Sequence, residues 1–179
     1  MLSDELVELR AWRDADLPAL AALRNDVALQ AQLMTRPRPT SEARVARWLA
    51  DKSDRPELAF FIVSDRASGR AAGYLQYVGV GRPDGIVELG VCIAEPFRGL
   101  GHAAAALALG QRYLRDVFAV RKITLQVLAR NVRARRFFER CGFRDCGLWQ
   151  AHVWHEGDWR DVSLMERLLE PVAHAGAGA

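Results

Sequence analysis

Apolar and polar residues repeat along the chain with two spacings, and these spacings predict its strands and helices. Leu58 to Val63 is an unbroken apolar run, whereas Ile123, Leu125 and Val127 alternate with more polar neighbours. An unbroken apolar run is typical of a strand that is buried on both faces, and alternation is typical of a strand that is buried on one face. Seven such segments are predicted to be strands, at residues 5–12, 58–63, 71–80, 86–93, 123–128, 148–154 and 159–168.

Apolar residues at helical spacing, each set near a capping residue, predict helices between these strands. The helical segments are predicted to run from Asp14 or Asp16 through Val27, from Thr40 or Ser41 past Leu49, from about 101 to 116, and from Asn131 to about 141.

The order of these elements predicts a single α/β (α+β) domain. Short turns at 65–69 and 81–85 join three strands into an antiparallel meander, whereas the strand at 123–128 follows a helix and is expected to run parallel to the strand before it. We expect residues 1–170 to form this domain around a mixed sheet of about seven strands with flanking helices. The small-residue segment 171–179 is expected to be a disordered tail.

Composition narrows the class of protein. Half of the 179 residues are hydrophobic, while no apolar run reaches membrane-spanning length and the first residues lack a secretory pattern. Cys92, Cys141 and Cys146 have no His or Cys neighbours at metal-ligand spacing, which predicts reduced thiols, no metal and a cytoplasmic protein. The net charge of +3 comes mostly from scattered arginines, so we expect an anionic ligand rather than nucleic acid or a membrane.

Candidate chemistry lies between the strand at 86–93 and the helix that follows it. Gly99 and Gly101 allow a tight turn, after which the first N–H groups of the helix would face an anion. The helix dipole favours the same charge. Residues 98–103 therefore form either a phosphate-binding loop or an ordinary strand-to-helix turn that needs glycine, and these residues alone leave both open.

The same glycines also fit a dinucleotide-binding pattern. Gly99, Gly101 and Ala104 satisfy G-x-G-x-x-A, which would indicate an NADP-binding Rossmann-type oxidoreductase, with Arg130 available for a 2′-phosphate. A Rossmann glycine turn follows its strand directly, whereas residues 94–98 intervene here, and no acidic residue ends the next strand. The oxidoreductase is therefore the weaker alternative.

Two motifs occur in order in the second half of the chain. The first is carried by Arg98, Gly101 and Ala103, and the second by Asn131, Ala134, Gly142 and Phe143. Together they resemble the motifs of the GNAT superfamily of acetyl-CoA-dependent N-acetyltransferases, and the chain looks closest to the ribosomal-protein-type and amino-sugar-type members. The resemblance extends over nearly the whole chain. It implies the GNAT fold, whose parallel strands splay at the cofactor site, and acetyl-CoA as co-substrate.

The resemblance also implies where acetyl-CoA binds. Its pyrophosphate would lie on the N–H groups of residues 98–103, and its pantetheine arm would lie along residues 91–93 like an extra strand. The implied cofactor-binding residues are Val91, Cys92, Ile93, Arg98, Gly99, Leu100, Gly101, His102, Ala103, Asn131 and Phe138.

The implied reaction is direct attack of a primary amine on the thioester in a ternary complex, which needs a group to accept a proton. Glu88 is the candidate base, directly or through water; it could equally be a solvated residue or a hydrogen-bond partner within the fold. Relatives often carry a tyrosine that protonates the leaving thiolate where this chain has Phe138, so that acid is missing unless Tyr113 or Ser163 replaces it. A non-catalytic acyl-CoA sensor or interaction module is the main alternative.

The resemblance places the acceptor, a small-molecule or protein N-terminal amine, between residues 23–39 and 149–159. Aromatic rings with a carboxylate suit a cationic amine or a sugar, although the tryptophans could simply seal a hairpin. The unpaired edge of that hairpin allows a homodimer. The candidate acceptor-binding residues are Asn25, Asp26, Trp149, His152, Trp154 and His155.

Overall fold

A mixed sheet with helices on both faces makes up the part of the chain that the computed structural model describes, residues 2–169. Its strands are β1 (Leu2–Ser3), β2 (Val7–Arg10), β3 (Leu58–Asp65), β4 (Ala71–Val78), β5 (Ile86–Ile93), β6 (Lys122–Leu128), β7 (Arg144–His155) and β8 (Asp158–Leu168). Its α-helices are α1 (Leu17–Asn25), α2 (Val27–Gln32), α3 (Glu42–Ser53), α4 (His102–Phe118) and α5 (Val132–Arg140). Short 3-10 turns lie at Asp14–Asp16 and Glu95–Phe97.

The eight strands lie in the order β1-β2-β3-β4-β5-β6-β8-β7. Neighbouring strands are antiparallel except β5 and β6, which are parallel as predicted. A Rossmann sheet is built mostly from parallel strands, so the oxidoreductase alternative is wrong. No helix within residues 2–169 is both long and apolar enough to cross a bilayer.

Three details differ from the sequence predictions. The sheet has eight strands rather than seven, because β1 is a two-residue strand, too short to show a period. Strand β7 begins at Arg144, four residues before the predicted start. Its first residues are polar and show no apolar alternation, but Arg144 already pairs with Glu166 of β8. The first helical segment is divided at Asp26, whose extended backbone ends α1 and whose carboxylate accepts the Leu29 N–H of α2 at 2.9 Å. The predicted tail, 171–179, lies outside the described residues.

Strands β5 and β6 separate soon after they meet. Their pairing consists of Ile86 with Lys122, Val87 with Ile123 and Glu88 with Thr124. Beyond Glu88, β5 stays paired with β4 as far as Ile93, while β6 stays paired with β8 along its whole length. The splayed parallel strands that the GNAT resemblance implied are therefore present.

The sheet has a hydrophobic core on each face. Helix α4 packs on one face, where Leu107 and Leu114 are buried against Tyr77 and the neighbouring strands. Helices α1 and α3 cover the other, where Leu20 and Leu49 are buried against the same sheet. The two cores fix β4 and β5 from both sides, so the place where β5 loses its neighbour is held rigidly.

Tyr77 and Gly110 make a close contact in the α4 core. Tyr77 is fully buried, and its hydroxyl has no hydrogen-bond partner within residues 2–169. Burial raises the pKa of this phenol above its ordinary value. Gly110 lies against the ring, where an added Cβ would be 2.9 Å from Tyr77 Cε2. The packing here accommodates the Tyr77 ring against Gly110 but leaves the Tyr77 hydroxyl without a hydrogen-bond partner among the described residues.

A hydrogen bond between side chains joins the end of β3 to the start of α4. Asp65 Oδ1 and His102 Nε2 are 2.9 Å apart, and the His102 ring is buried. Asp65 Oδ2 accepts hydrogen bonds from the Ser68 hydroxyl at 2.6 Å and the Ser68 N–H at 2.8 Å. The Ser68 hydroxyl first, and the His102 ring second, lower the pKa of Asp65 to about 2.

Replacing Tyr77 with Phe removes only a buried hydroxyl that lacks a partner. We expect Tyr77→Phe to have the wild-type free energy of unfolding or up to about 1–3 kcal/mol more, measured by urea titration. Gly110→Ala should lower the free energy of unfolding by roughly 1–3 kcal/mol, because the added Cβ overpacks the core against Tyr77. In the Tyr77→Phe background the loss should be smaller, because the hydroxyl that the Cβ would meet is absent. A clear loss of stability in Tyr77→Phe would show that the hydroxyl is hydrogen-bonded in solution.

Asp65 should stabilise the fold in a pH-dependent way. Its folded pKa of about 2 lies below the usual value of 3.8, so its contribution is complete above about pH 4 and is lost as pH falls toward 2. Asp65→Asn should therefore lower the free energy of unfolding more at pH 6 than at pH 3. Asp51→Asn, at an exposed position of α3, is the control and should show no such difference. A pH-independent effect of Asp65→Asn would contradict the expectation.

Candidate active site

A cleft of about 960 Å³ opens where β5 and β6 separate. Its lining comes from both faces of the sheet: Ala103 and Ala104 of α4 on one side, Leu29 and Gln32 of α2 on the other. The divergent parts of β5 and β6 form its floor. The cleft therefore connects the loop before α4 with the space beside α2.

The loop before α4 ends at an uncapped helix N-terminus. Gly99 and Gly101 have φ of +80° and +90°, a region that favours glycine. Helix α4 begins with no side-chain cap, and its first intrahelical bond runs from Ala105 N–H to the Gly101 carbonyl at 3.0 Å. The N–H groups of the preceding residues are donors at the positive end of a 17-residue helix. Such a terminus is suited to an anion.

Arg98 adds a positive charge at the same place. Its Nε donates to the Ile93 carbonyl at 2.8 Å, which holds the side chain against the end of β5. Its Nη2 is buried and has no partner within the part of the chain that the structure describes. A fixed guanidinium with an unused donor, beside uncapped N–H groups, fits a phosphate better than it fits an ordinary turn.

Beyond Glu88, the wall of the cleft that β5 forms has no ionised or nucleophilic side chain among its residues 89–93. Cys92 is buried, and burial raises the pKa of its thiol to about 12. A protonated thiol in the core is not a nucleophile. Because β5 has no neighbour on the β6 side beyond Glu88, this wall presents backbone groups to the cleft instead.

Glu88 stands at the last paired position before the strands separate. Its side chain is exposed to the cleft, and its Oε1 accepts a hydrogen bond from Gln126 Nε2 of β6 at 3.2 Å. Both interpretations of Glu88, as a base and as a hydrogen-bond partner in the fold, are compatible with this position.

Asn131 and Phe138 approach the cleft from α5. The Asn131 Oδ1 accepts the Ala134 N–H at 3.1 Å, so the predicted helix cap is confirmed. Its Nδ2 donates to Gln32 Oε1 at 2.8 Å and so links α5 to α2. Phe138 is buried, with its ring 5.7 Å from that of Phe143. The ring fills space beside the cleft and supplies no proton.

Nearly all of the predicted cofactor-binding residues meet in this cleft. Leu100 is the exception: its side chain is 59% exposed and does not line the cleft. The His102 ring is turned into the contact with Asp65, which leaves its backbone N–H at the helix N-terminus. The predicted residues that line the cleft are Glu88, Val91, Cys92, Ile93, Arg98, Gly99, Gly101, His102, Ala103, Asn131 and Phe138.

One of the two stretches predicted to bind the acceptor contributes to the lining of the cleft. Leu29, Leu33 and Met34 line the cleft, but residues 149–159 do not. Trp149 and Trp154 are exposed on β7, which is separated from β6 by β8. The last hairpin continues the sheet outward instead of folding over its face, which is why its aromatic residues miss the site.

The other acceptor candidates have structural roles. Asn25 Nδ2 donates to the Thr40 carbonyl at 2.8 Å and Asp26 caps α2. His155 is buried against Arg130, 2.8 Å from its Nη2, while His152 is exposed beside Trp149.

The proposed replacements for the missing tyrosine also lie elsewhere. Tyr113 packs edge-on against Phe61, and Ser163 is buried in β8. Neither lines the cleft. No residue in the cleft lining therefore takes the tyrosine's place as a phenol donor.

Sequence reasoning missed two polar residues on the acceptor side. Gln76 of β4 lines the cleft, and Lys52 of α3 donates to its Oε1 at 2.7 Å. The available signal was Gly90: a glycine inside a strand indicates a close approach, and here the Gln76 side chain lies against it.

Comparisons with known proteins agree with this geometry. The chain is similar in structure to spermidine N-acetyltransferase from Vibrio cholerae, solved in complex with CoA and spermine, with a TM-score of 0.84 and 22% identity over 92% of this chain and 96% of that one. It is also similar to a GCN5-related N-acetyltransferase from Brucella melitensis, with a TM-score of 0.77 and 27% identity over 93% of this chain and 77% of that one. A comparison with curated protein sequences finds no match.

The family is established by sequence. Residues 7–144, most of the chain, match the acetyltransferase (GNAT) domain. This match includes the loop before α4, Glu88 and the whole of α5, and the fold is the one that the two solved structures share. The chain therefore belongs to the GNAT family of acetyltransferases.

Proposed function

We propose that the protein transfers an acetyl group from acetyl-CoA to a primary amine by direct attack within a ternary complex. The observation that carries this proposal is the cleft itself. It joins an uncapped helix N-terminus and Arg98, suited to a phosphate, to Glu88 beside an apolar wall on the opposite face of the sheet. A donor and an acceptor can enter from opposite sides and meet where β5 and β6 separate.

The residues at the α4 end fit acetyl-CoA. The N–H groups of residues 99–104 and Arg98 Nη2 would hold the pyrophosphate, since helix N-termini and guanidinium groups bind phosphate oxygens. Residues 91–93 would bond the pantetheine amides as a neighbouring strand does. Asn131, which caps α5, and Phe138, whose ring packs near that of Phe143, would form the wall of the cleft on the α5 side.

Glu88 would accept the proton that the attacking amine loses. The amine nitrogen forms a bond to the thioester carbonyl carbon, the C–S bond breaks, and the amine proton passes to the Glu88 carboxylate, directly or through water. A backbone N–H of residues 89–93 would stabilise the negative charge on the thioester oxygen without reorganisation. Gln126, bonded to Glu88 at 3.2 Å, would hold the carboxylate toward the cleft.

The leaving group needs no acid from the protein. A thiol has a reference pKa of roughly 8.5, so the thiolate can leave and take its proton from water. Phe138 in place of a tyrosine is then compatible with turnover. Its buried ring leaves the cofactor wall apolar.

The proposed acceptor is a primary amine, either a small molecule or a protein N-terminus, whose nitrogen would lie beside the Glu88 carboxylate. The Vibrio cholerae neighbour is a spermidine acetyltransferase, but at 22% identity it shares the fold with this chain and no more. A cytoplasmic location and a homodimer through the outer edge of β7 stay predictions, which cell fractionation and the molecular mass in solution would test.

Release of free thiol tests the proposed function. With acetyl-CoA and a panel of amines, we expect amine-dependent thiol release and a product heavier by one acetyl group. Arg98→Ala should raise the KM for acetyl-CoA by about tenfold or more, because charged hydrogen bonds are worth about 1.5–3 kcal/mol. Arg47→Ala, exposed on α3 outside the cleft, is the matched control. Acetyl-CoA binding without thiol release on any amine would favour the non-catalytic sensor.

Glu88→Gln tests the base. It keeps the shape of the side chain but removes the proton acceptor, so kcat should fall by about 100-fold or more. The fall should shrink as pH rises and the free amine becomes abundant. Glu57→Gln, exposed outside the cleft, should have the wild-type rate. A Glu88→Gln enzyme with the full rate across the pH range would remove Glu88 from the mechanism.

A further inference from the structure

Gln76 and Glu88 share one face of the sheet at the floor of the cleft. Gln76 on β4 lies opposite Gly90 on β5, and Val78 lies opposite Glu88. Residues opposite each other share a face, as do residues two apart on one strand, so Gln76 and Glu88 project to the same side. They are diagonal neighbours, roughly 7–8 Å apart at the backbone, which long side chains can span.

The Gln76 amide has a fixed orientation. Lys52 Nζ is 2.7 Å from Gln76 Oε1. An ammonium group has hydrogens to donate and no lone pair to offer, so the atom that faces it must be the amide oxygen. The hydrogen bond that the structure gives the Gln76 side chain, among the described residues, is that of its Oε1 with Lys52, and the side chain lines the cleft. The cleft therefore presents a donor beside Glu88.

Lys52 is itself held in place. Its Nζ lies 5.1 Å from the centre of the Trp48 ring and 5.6 Å from that of Phe60, distances at which an aromatic face attracts a cation. Burial first, and then the charges of Arg55 and Arg24, lower its pKa. A lysine fixed by two rings and an amide oxygen supports Gln76 rather than reaching into solvent.

Gly90 leaves the space in which the amide lies. A Cβ at this position would be 2.8 Å from Gln76 Nε2 and 3.0 Å from its Cγ. Any side chain at residue 90 would therefore push the amide away from β5. Gly90 therefore lets the Gln76 amide nitrogen lie close to the backbone of β5, where β5 and β6 separate.

We propose that Gln76 is a specificity residue, whose Nε2 donates a hydrogen bond to an oxygen of the acceptor next to the amine, and that Lys52 is the positioning residue that turns this donor toward the cleft. The inference rests on the proposed function and names its acceptor class: an α-amino amide or similar amine with a hydrogen-bond-accepting oxygen on the neighbouring carbon. The apolar wall of Leu29, Leu33 and Met34 receives the rest of the molecule.

The charges around the cleft are consistent with this class and unfavourable to a polyamine. Glu88 is the one carboxylate in the described lining, whereas Arg133 and Arg140 also line it, apart from Arg98 at the phosphate end. Lys52 adds a further positive charge directly behind Gln76. A polyamine has several cationic nitrogens to balance and no oxygen for the Gln76 donor.

The test compares leucinamide with isopentylamine, which has the same apolar body without the carboxamide. The quantity measured is the ratio of the two kcat/KM values; the basicity of each amine is the same in every enzyme, so it cancels between variants. Gln76→Ala should lower this ratio about three- to tenfold, through the KM of leucinamide, because one neutral hydrogen bond is lost. The kcat/KM for isopentylamine should differ less than twofold between Gln76→Ala and the wild type.

Variants of Lys52 separate positioning from a general loss of structure. Lys52→Met leaves the amide free to rotate and should lower the ratio by less than Gln76→Ala does. Lys52→Arg should restore it, because a guanidinium can donate to the same oxygen. Gln150→Ala, exposed on β7 away from the cleft, is the matched control and should keep the wild-type ratio.

The outcomes distinguish this inference from the proposed function. A ratio that Gln76→Ala leaves unchanged, or spermidine as the better substrate at a rate that Gln76→Ala leaves unchanged, overturns the role of Gln76 alone. A wild-type protein that binds acetyl-CoA but acetylates neither leucinamide, isopentylamine nor spermidine overturns the proposed function and this inference with it.

Discussion

The loss of pairing between β5 and β6 after Glu88 is the constraint on which the site depends. Strand β6 keeps all its hydrogen bonds to β8, and β5 keeps those to β4, so both strands remain in the sheet while one row of backbone groups between them loses its partners. Buried backbone groups require partners, and here these can come only from solvent or from a ligand. A defect in the sheet thus exposes backbone donors and acceptors with which an amide-bearing chain could pair, as the proposed function requires.

The same defect connects the two faces of the sheet, as the proposed ternary complex requires. A continuous sheet would separate the α4 face from the face of α1 and α3, and two substrates bound on opposite faces could not react. The gap removes this barrier at one place, next to Glu88. Hydrophobic cores on both faces of the sheet pack against β4 and β5 beside this gap.

Much of this could be predicted from the sequence, because it follows from local rules. Periodicity placed the meander, α4 and the parallel β6, while Gly99, Gly101 and Asn131 marked the loop and the cap. The contacts of residues far apart along the chain could not be predicted in this way. Nothing local to Lys52 or Gln76 indicates that they meet, and whether the last hairpin folds over the site or extends the sheet depends on the pairing of β8 with β6.

The early helices show the limit of helical spacing as a guide. Leu20, Leu23 and Val27 suggest one helix, but Asp26 ends it, since its carboxylate caps the next turn instead of continuing the first. That break leaves Val27 exposed and brings Leu29 and Met34 to the cleft. A single capping residue therefore decides which apolar side chains join the core and which line the site.

The outer edge of β7 affects how readily folded copies of the chain can associate through their sheets. Strand β7 is a 12-residue outer strand with exposed tryptophans, the kind of edge that invites other chains to add to a sheet. Its register against β8 shifts at Asp145/Gly147 and again between Trp149 and Val153, where Ala151 has φ +45°. Each irregularity bends the strand and interrupts its row of donors and acceptors. A further strand would find only short straight stretches to pair with, so the irregular edge disfavours open-ended strand addition, whereas a single second copy, as in the predicted homodimer, would cover it.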